Sequence, residues 1–153
     1  KDTHTIEIFK KKLKADLAFM DYVPMLFISA KTGQRVNKIM DLVRLVYEQN
    51  CRRISTGVLN DIVNEAISVN EPPTDNGRRL KIYYATQVST RPPTFVLFVN
   101  DADLMHFSYK RYLENYLRKS FGLDATPIRI IARTRESEKA QSEVRGKKGN
   151  QQE

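Results

Sequence analysis

The stretch Arg79–Asn100 constrains the fold more than any other, because two strand-like runs flank a pair of prolines. In the first run Leu80, Ile82, Tyr84 and Val88 fall on one side, and Lys81, Tyr83 and Gln87 on the other. That period of two predicts a half-buried strand. The second run, Phe95–Val99, is apolar on both sides and rich in aromatic and β-branched residues, which suits a central strand covered on both faces. Pro92 and Pro93 lack the N–H that a ladder needs, so Ser89–Pro93 reads as the turn. The expectation is a β-hairpin on which neighbouring segments pack.

The flanking sequence supplies those neighbours. Ser55 stands where an N-cap is expected, ahead of a helical face of Val58, Leu59, Ile62, Val63, Ala66 and Ile67. Asn70–Gly77 is dense in turn residues. After the hairpin, Asn100 or Asp101 can cap a short helical turn. A longer helix over Ser108–Phe121 has Tyr109, Tyr112, Leu113, Tyr116 and Leu117 on one face and Lys110, Arg111, Arg118 and Lys119 on the opposite one. Gly122 is placed as its C-cap. Pro127–Arg133 reads as a third strand, with Ile128 and Ile130 opposed to Arg129, Ile131 and Arg133. The order from residue 51 is helix, strand, strand, short helix, long helix, strand.

The first fifty residues have a different character. Ile6, Phe9, Leu13 and Leu17 predict an amphipathic helix whose lysines (Lys10, Lys11, Lys12, Lys14) face solvent. Val23–Ile28 is a short apolar run of the kind that forms a buried parallel strand; it ends in the polar turn Ser29–Gly33, and a helix is expected over Val36–Glu48. A single parallel strand cannot satisfy its backbone alone. Residues 1–50 therefore read as the last α-β-α part of a doubly wound domain whose other strands lie elsewhere, and the missing initiator Met agrees. Without those neighbours, Val23–Ile28 and Val36–Val46 leave apolar surface uncovered. Gln49–Ile54 breaks the periodicity and reads as a linker. The chain is thus of the α/β (α+β) class, with units at 1–50 and 51–135, and a segment at 136–153, poor in apolar residues, is expected to be disordered.

Of the formal charge of +8, a surplus of five lies within residues 50–135, where thirteen Lys and Arg face eight Asp and Glu. Such a balance favours a polyanionic partner such as RNA or DNA. One cysteine, Cys51, excludes an internal disulfide and a cysteine-based zinc site and suits a reducing, cytoplasmic setting. No stretch approaches a membrane span, so no membrane partner is expected. His4 and His106 have no companion nucleophile or carboxylate set, and Asp101 and Asp103 are explained by helix capping. No catalytic residue and no metal ligand is assigned. Two features stand above this background. Ser29-Ala30-Lys31 lies at the carboxyl end of the predicted strand, the edge where open α/β sheets bind ligands. Lys81, Arg129 and Arg133 are expected to share a sheet face with Tyr83, Phe98 and Ile131, a mixture suited to phosphate contact with base stacking, or equally to a protein interface. The cationic face Lys110, Arg111, Arg118 and Lys119 extends the candidate surface.

These residues carry a resemblance. FISAKTGQRV resembles the guanine-specificity loop of translation-factor-type GTPases. The run from RISTGVLN through RLKIYYATQVSTRPPTFVLFVND to FSYKRYLENYLRKSFGLDATPIRI resembles the C-terminal domain of the Der (EngA) family of bacterial GTPases. That family has two G domains followed by a KH-like domain and acts in assembly of the large ribosomal subunit. The resemblance implies that residues 1–50 end the second G domain. It also implies that 51–135 form a KH-like α-β-β-α-α-β domain, a three-stranded sheet with helices on one face. It places Ser29, Ala30 and Lys31 against guanine, the Ala30 N–H donating to the guanine oxygen and Lys31 lying over the ring. GTP or GDP with Mg would serve the parent protein; no cofactor is expected for this chain, whose sequence lacks the GxxxxGK[ST] loop, DxxG and Asn-Lys-x-Asp. The glycine loop by which KH domains clamp RNA is absent as well, since the corresponding connection reads Leu104-Met105-His106-Phe107-Ser108. Expected partners are ribosomal RNA of the large subunit and the G domains of the same polypeptide. The alternative is a purely intramolecular regulator that binds no RNA.

Overall fold

A computed structural model describes residues 3–20, 22–75 and 77–135. The segment expected to be disordered, 136–153, lies outside the described residues, as does the side chain of His4. The elements in chain order are α1 (Thr3–Asp16), α2 (Lys38–Asn50), α3 (Thr56–Val69), β1 (Thr74–Asp75), β2 (Arg78–Arg79), β3 (Ile82–Ser89), β4 (Thr94–Val99), α4 (Phe107–Phe121) and β5 (Arg129–Thr134). Short 3-10 turns occupy Ala18–Met20 and Ala102–Leu104.

The proline-linked runs form the hairpin. β3 and β4 are antiparallel, β5 adds parallel to β4, and the sheet order β3-β4-β5 puts the all-apolar run in the centre. All six residues of β4 are buried. Helices α3 and α4 cover one face, where Leu59, Val63, Phe95, Leu97, Leu113 and Leu117 form the centre of the core. Each such side chain contributes about 1.5–3 kcal/mol by leaving water. Leu59, Val63 and Ala66 are three or four residues apart on α3 and fully enclosed, whereas Val58, expected on that face, is half exposed.

The alternation read for β3 holds only to Ile82. A bulge between Ile82 and Tyr84 sets two residues against one on β4, so the pleat reverses beyond it. Ala85 and Gln87 consequently face the core, while Tyr84 and Val88, expected inside, are exposed. Gln87 is tolerated there because its amide is bonded at both ends: Oε1 accepts from the Ile54 N–H at 2.8 Å and Nε2 donates to the Arg52 carbonyl at 2.9 Å. On the free edge of β3 the Asn60 amide takes the place of a neighbouring strand, accepting from the Ala85 N–H at 2.7 Å and donating to its carbonyl at 2.9 Å.

The two covering helices are tied by tyrosines. Tyr109 donates to the Asn70 carbonyl at 2.9 Å and Tyr112 to the Ala66 carbonyl at 2.7 Å, satisfying acceptors at the end of α3. Burial, reinforced by Tyr112, raises the Tyr109 hydroxyl to a pKa of about 12. Gly122 ends α4 in the left-handed conformation, φ 59°, as expected. Asp101 caps the 3-10 turn by accepting from the Asp103 N–H. Ser55 occupies the N-cap of α3 without a side-chain bond.

The run Val23–Ile28 joins no ladder among the described residues; its Val23 N–H closes a turn on the Met20 carbonyl at 3.0 Å, and an isolated bridge between Ser29 and Gln34 follows it. The residue types favour a strand, and the described chain offers no strand beside it. The following helix, α2, begins two residues later than expected, after a turn in which Gly33 has a φ of 70°.

Candidate nucleic-acid interface

The face of the sheet opposite α3 and α4 shows a regular layout. Ladder register sets Tyr84, Phe98 and Arg133 in one row, Thr86, Val96 and Ile131 in the next, and Thr94 beside Arg129 in the last. Tyr84 and Phe98 stack with ring centroids 4.2 Å apart. Arg129 and Arg133 point outward from β5, four residues and hence about 13 Å apart at the usual strand rise. Among the described residues neither has a carboxylate partner. Tyr83 occupies the bulge, with the Arg135 guanidinium 5.4 Å from its ring centre. Lys81 is exposed just ahead of β3, its backbone bonded to Asn100. Of the expected surface, Arg129, Arg133 and Ile131 are therefore brought together, and Phe98 is with them but almost wholly covered.

The α4 cations belong to the helical layer on the other side of the sheet, so the expected basic surface divides in two. Arg111 and Lys119 are exposed and Lys110 is half-buried. Arg118 has a structural duty: its Nη1 donates to the carbonyls of Leu123 at 2.8 Å and Thr126 at 2.6 Å, holding the loop that leads into β5. Its guanidinium also lies 4.0 Å from the centre of the Tyr22 ring. The charge pattern of α4 does not reveal this, because the acceptors are backbone carbonyls beyond the helix end.

Ser29, Ala30 and Lys31 form a turn closed by the Ser29 N–H on the Gln34 carbonyl at 3.1 Å and by the Ser29 hydroxyl facing the Thr32 N–H at 3.4 Å. Ala30 and Lys31 are exposed, and the Ala30 N–H meets no acceptor among the described residues. Beside the loop, Leu26, Ile28, Ile39, Leu42, Val43, Val46 and Tyr47 line an open groove of about 540 Å³. The groove is apolar surface left open between the run Val23–Ile28 and α2 among the described residues. Among the described residues no group of His, Cys, Asp and Glu could hold a metal ion, and no helix is long and apolar enough to cross a membrane.

The supposed linker is the largest omission of the sequence reading. Gln49 and Asn50 end α2 rather than following it. Buried Gln49 accepts from the Ala125 N–H at 2.7 Å, Asn50 Oδ1 accepts from the Thr126 hydroxyl at 3.0 Å, and the Asn50 carbonyl accepts from the Arg91 N–H at 2.9 Å. Arg52 then donates to the Phe121 carbonyl at 2.6 Å. The α2 end is therefore joined by directional bonds to one end of the sheet unit, at the β3–β4 turn and the loop that leads into β5. Two adjacent amide side chains at the end of an amphipathic helix were the available signal.

Comparison with known proteins bears on the whole arrangement. Residues 53–133, more than half of the chain, match the family described as the KH-domain-like C-terminal domain of EngA bacterial GTPase enzymes. The chain is 58% identical over 139 residues to "GTPase Der" of Desulfitobacterium hafniense, covering 91% of this chain and 32% of that protein. It is 58% identical over 138 residues to "GTPase Der" of Ruminiclostridium cellulolyticum, covering 90% and 31%, and 54% identical over 135 residues to that of a Geobacillus species, covering 88% and 31%. It spans about a third of the length of these relatives. A three-stranded mixed sheet under two helices, matched by the family over residues 53–133, makes this chain a member of the EngA (Der) GTPase family that carries the family's C-terminal KH-like domain.

Proposed function

We propose that this chain is the C-terminal part of a GTPase that acts in assembly of the large ribosomal subunit, and that the open face of its KH-like sheet contacts ribosomal RNA. The observation that carries the reading is the pair Arg129 and Arg133, held on one face of β5 without carboxylate partners among the described residues, beside Ile131 and the Tyr84–Phe98 stack. Outward guanidinium groups on a rigid strand suit successive phosphates. Residues 1–50 would complete a G domain, with Ser29, Ala30 and Lys31 against guanine. GTP or GDP and Mg serve that parent; the chain alone supplies no phosphate loop and turns over no nucleotide. Its place is the cytoplasm.

A second reading is favoured by Val88 and Ile131, which are half exposed on the same open face. An apolar patch of this kind suits docking on a G domain of the same polypeptide, as a regulator without RNA contact. The two readings separate in a salt titration of the full chain with large-subunit RNA. RNA contact predicts that affinity falls steeply with salt, and that Arg129→Glu with Arg133→Glu lowers the log–log slope by at least about 1.4. A flat salt response, or a double variant that binds RNA unchanged while altering nucleotide turnover in the longer parent, discards the RNA reading in favour of the second.

A further inference from the structure

The cationic side of α4 contains a pocket that the sheet-face reading leaves unused. Phe107, Lys110, Arg111, Glu114, Asn115 and Arg118 line it at spacings of three and four residues, a single stripe of the helix. Ala18 and Tyr22 close the other wall, and the pocket measures about 270 Å³. Phe107, in the lining, is 74% exposed and lies outside the hydrophobic core. Also in the lining, the Arg118 guanidinium lies over the Tyr22 ring, 4.0 Å from its centre. Among the described residues of the lining three cations stand against one carboxylate, and neither Lys110 nor Arg111 is ion-paired.

We propose that this pocket takes one unpaired nucleotide of an RNA strand, its base against Phe107 and its phosphate on Lys110 and Arg111. An exposed aromatic ring such as Phe107 is a surface on which splayed-out bases stack. Glu114 and Asn115 offer an acceptor and an amide to the pairing edge, which suits a base carrying N–H donors. The volume is just under the ~300–1,000 Å³ typical of pockets that enclose a whole small molecule, so a single base of a longer strand fits better than a free nucleotide. The site also stands beside the connection where the KH-like chain lacks its glycine loop: Phe107 opens α4 directly after it. Stacking on an aromatic thus substitutes for a backbone clamp.

The inference rests on the RNA half of the proposed function, and the test keeps the two apart. Binding of the full chain to a labelled mixed-sequence single-stranded RNA, to the same sequence as a duplex, and to the free monophosphates of guanosine and cytidine is measured by fluorescence anisotropy or competition. Phe107→Ala, at a solvent-facing position, leaves thermal unfolding unchanged and weakens single-strand binding at least about fivefold without altering its salt slope. Lys110→Ala with Arg111→Ala lowers the slope instead. Duplex binding and the Arg129→Glu, Arg133→Glu variant report on the sheet face independently. Retained RNA binding with no effect of Phe107→Ala overturns the pocket alone. Absence of RNA binding by the unmodified chain overturns both readings, and free monophosphates bound as tightly as the strand would show that the pocket takes a small molecule rather than RNA.

Discussion

Phe95–Val99 and Val23–Ile28 are both short, continuous apolar runs, yet only the first becomes a strand. The first lies between β3 and β5, with every residue buried. The second is half-buried for most of its length, joins no ladder among the described residues, and flanks an apolar groove. Composition is the same in kind; the difference is the supply of hydrogen-bonding neighbours. A strand is a property of the pairing and not of the run that enters it.

The comparison predicts a wide gap in mutational cost. Phe95→Ala removes a fully enclosed ring and is expected to lower unfolding free energy by about 3–5 kcal/mol. Phe27→Ala, in the unpaired run, should lower it by less than about 1 kcal/mol in urea unfolding of the same chain. Equal effects would mean that the two runs are equally well packed. Next in size is Gln87→Ala, which strands the Ile54 N–H and the Arg52 carbonyl and should cost about 2–3 kcal/mol. Restoration by Gln87→Glu is not expected, because a carboxylate cannot donate to the carbonyl.

Tyr109→Phe gives a smaller effect, about 1 kcal/mol, from loss of the bond to Asn70. It also carries a pH signature. The folded pKa is raised, so the stabilisation by neutral Tyr109 is fully present below the unfolded value near 10 and is lost as pH rises toward about 12. Stability of the unmodified chain should therefore fall more steeply across that alkaline window than stability of Tyr109→Phe. Smallest is Val43→Lys on the groove, expected to change stability by no more than about 0.5 kcal/mol. Its effect should appear instead as reduced self-association in sedimentation, since Val43 is half exposed on an apolar surface.

Much of the KH-like half was legible because its signals are local. The central position of Phe95–Val99, the proline turn, the α4 face and the Gly122 cap each follow from a few neighbouring residues. The bulge at Tyr83 was not legible, since a period of two assumes constant register, and one extra residue exchanged the fates of Gln87 and Val88. The same limit applies to Gln49 and Asn50, whose partners lie 76 residues away. At the candidate site, alternation along β5 sufficed to place Arg129 and Arg133 outward. Charge counting could not separate them from the α4 cations, which a sheet divides from them, or show that Arg118 is engaged by carbonyls.

Amide hydrogen exchange on the full chain, followed residue by residue, tests the contrast between the two runs most directly. Amides of Phe95–Val99 should exchange only on global unfolding, while those of Met25–Ile28 exchange through local opening, orders of magnitude faster. Protection of Met25–Ile28 to the level of β4 would contradict the account, because it would mean that the run had found strand partners within this chain.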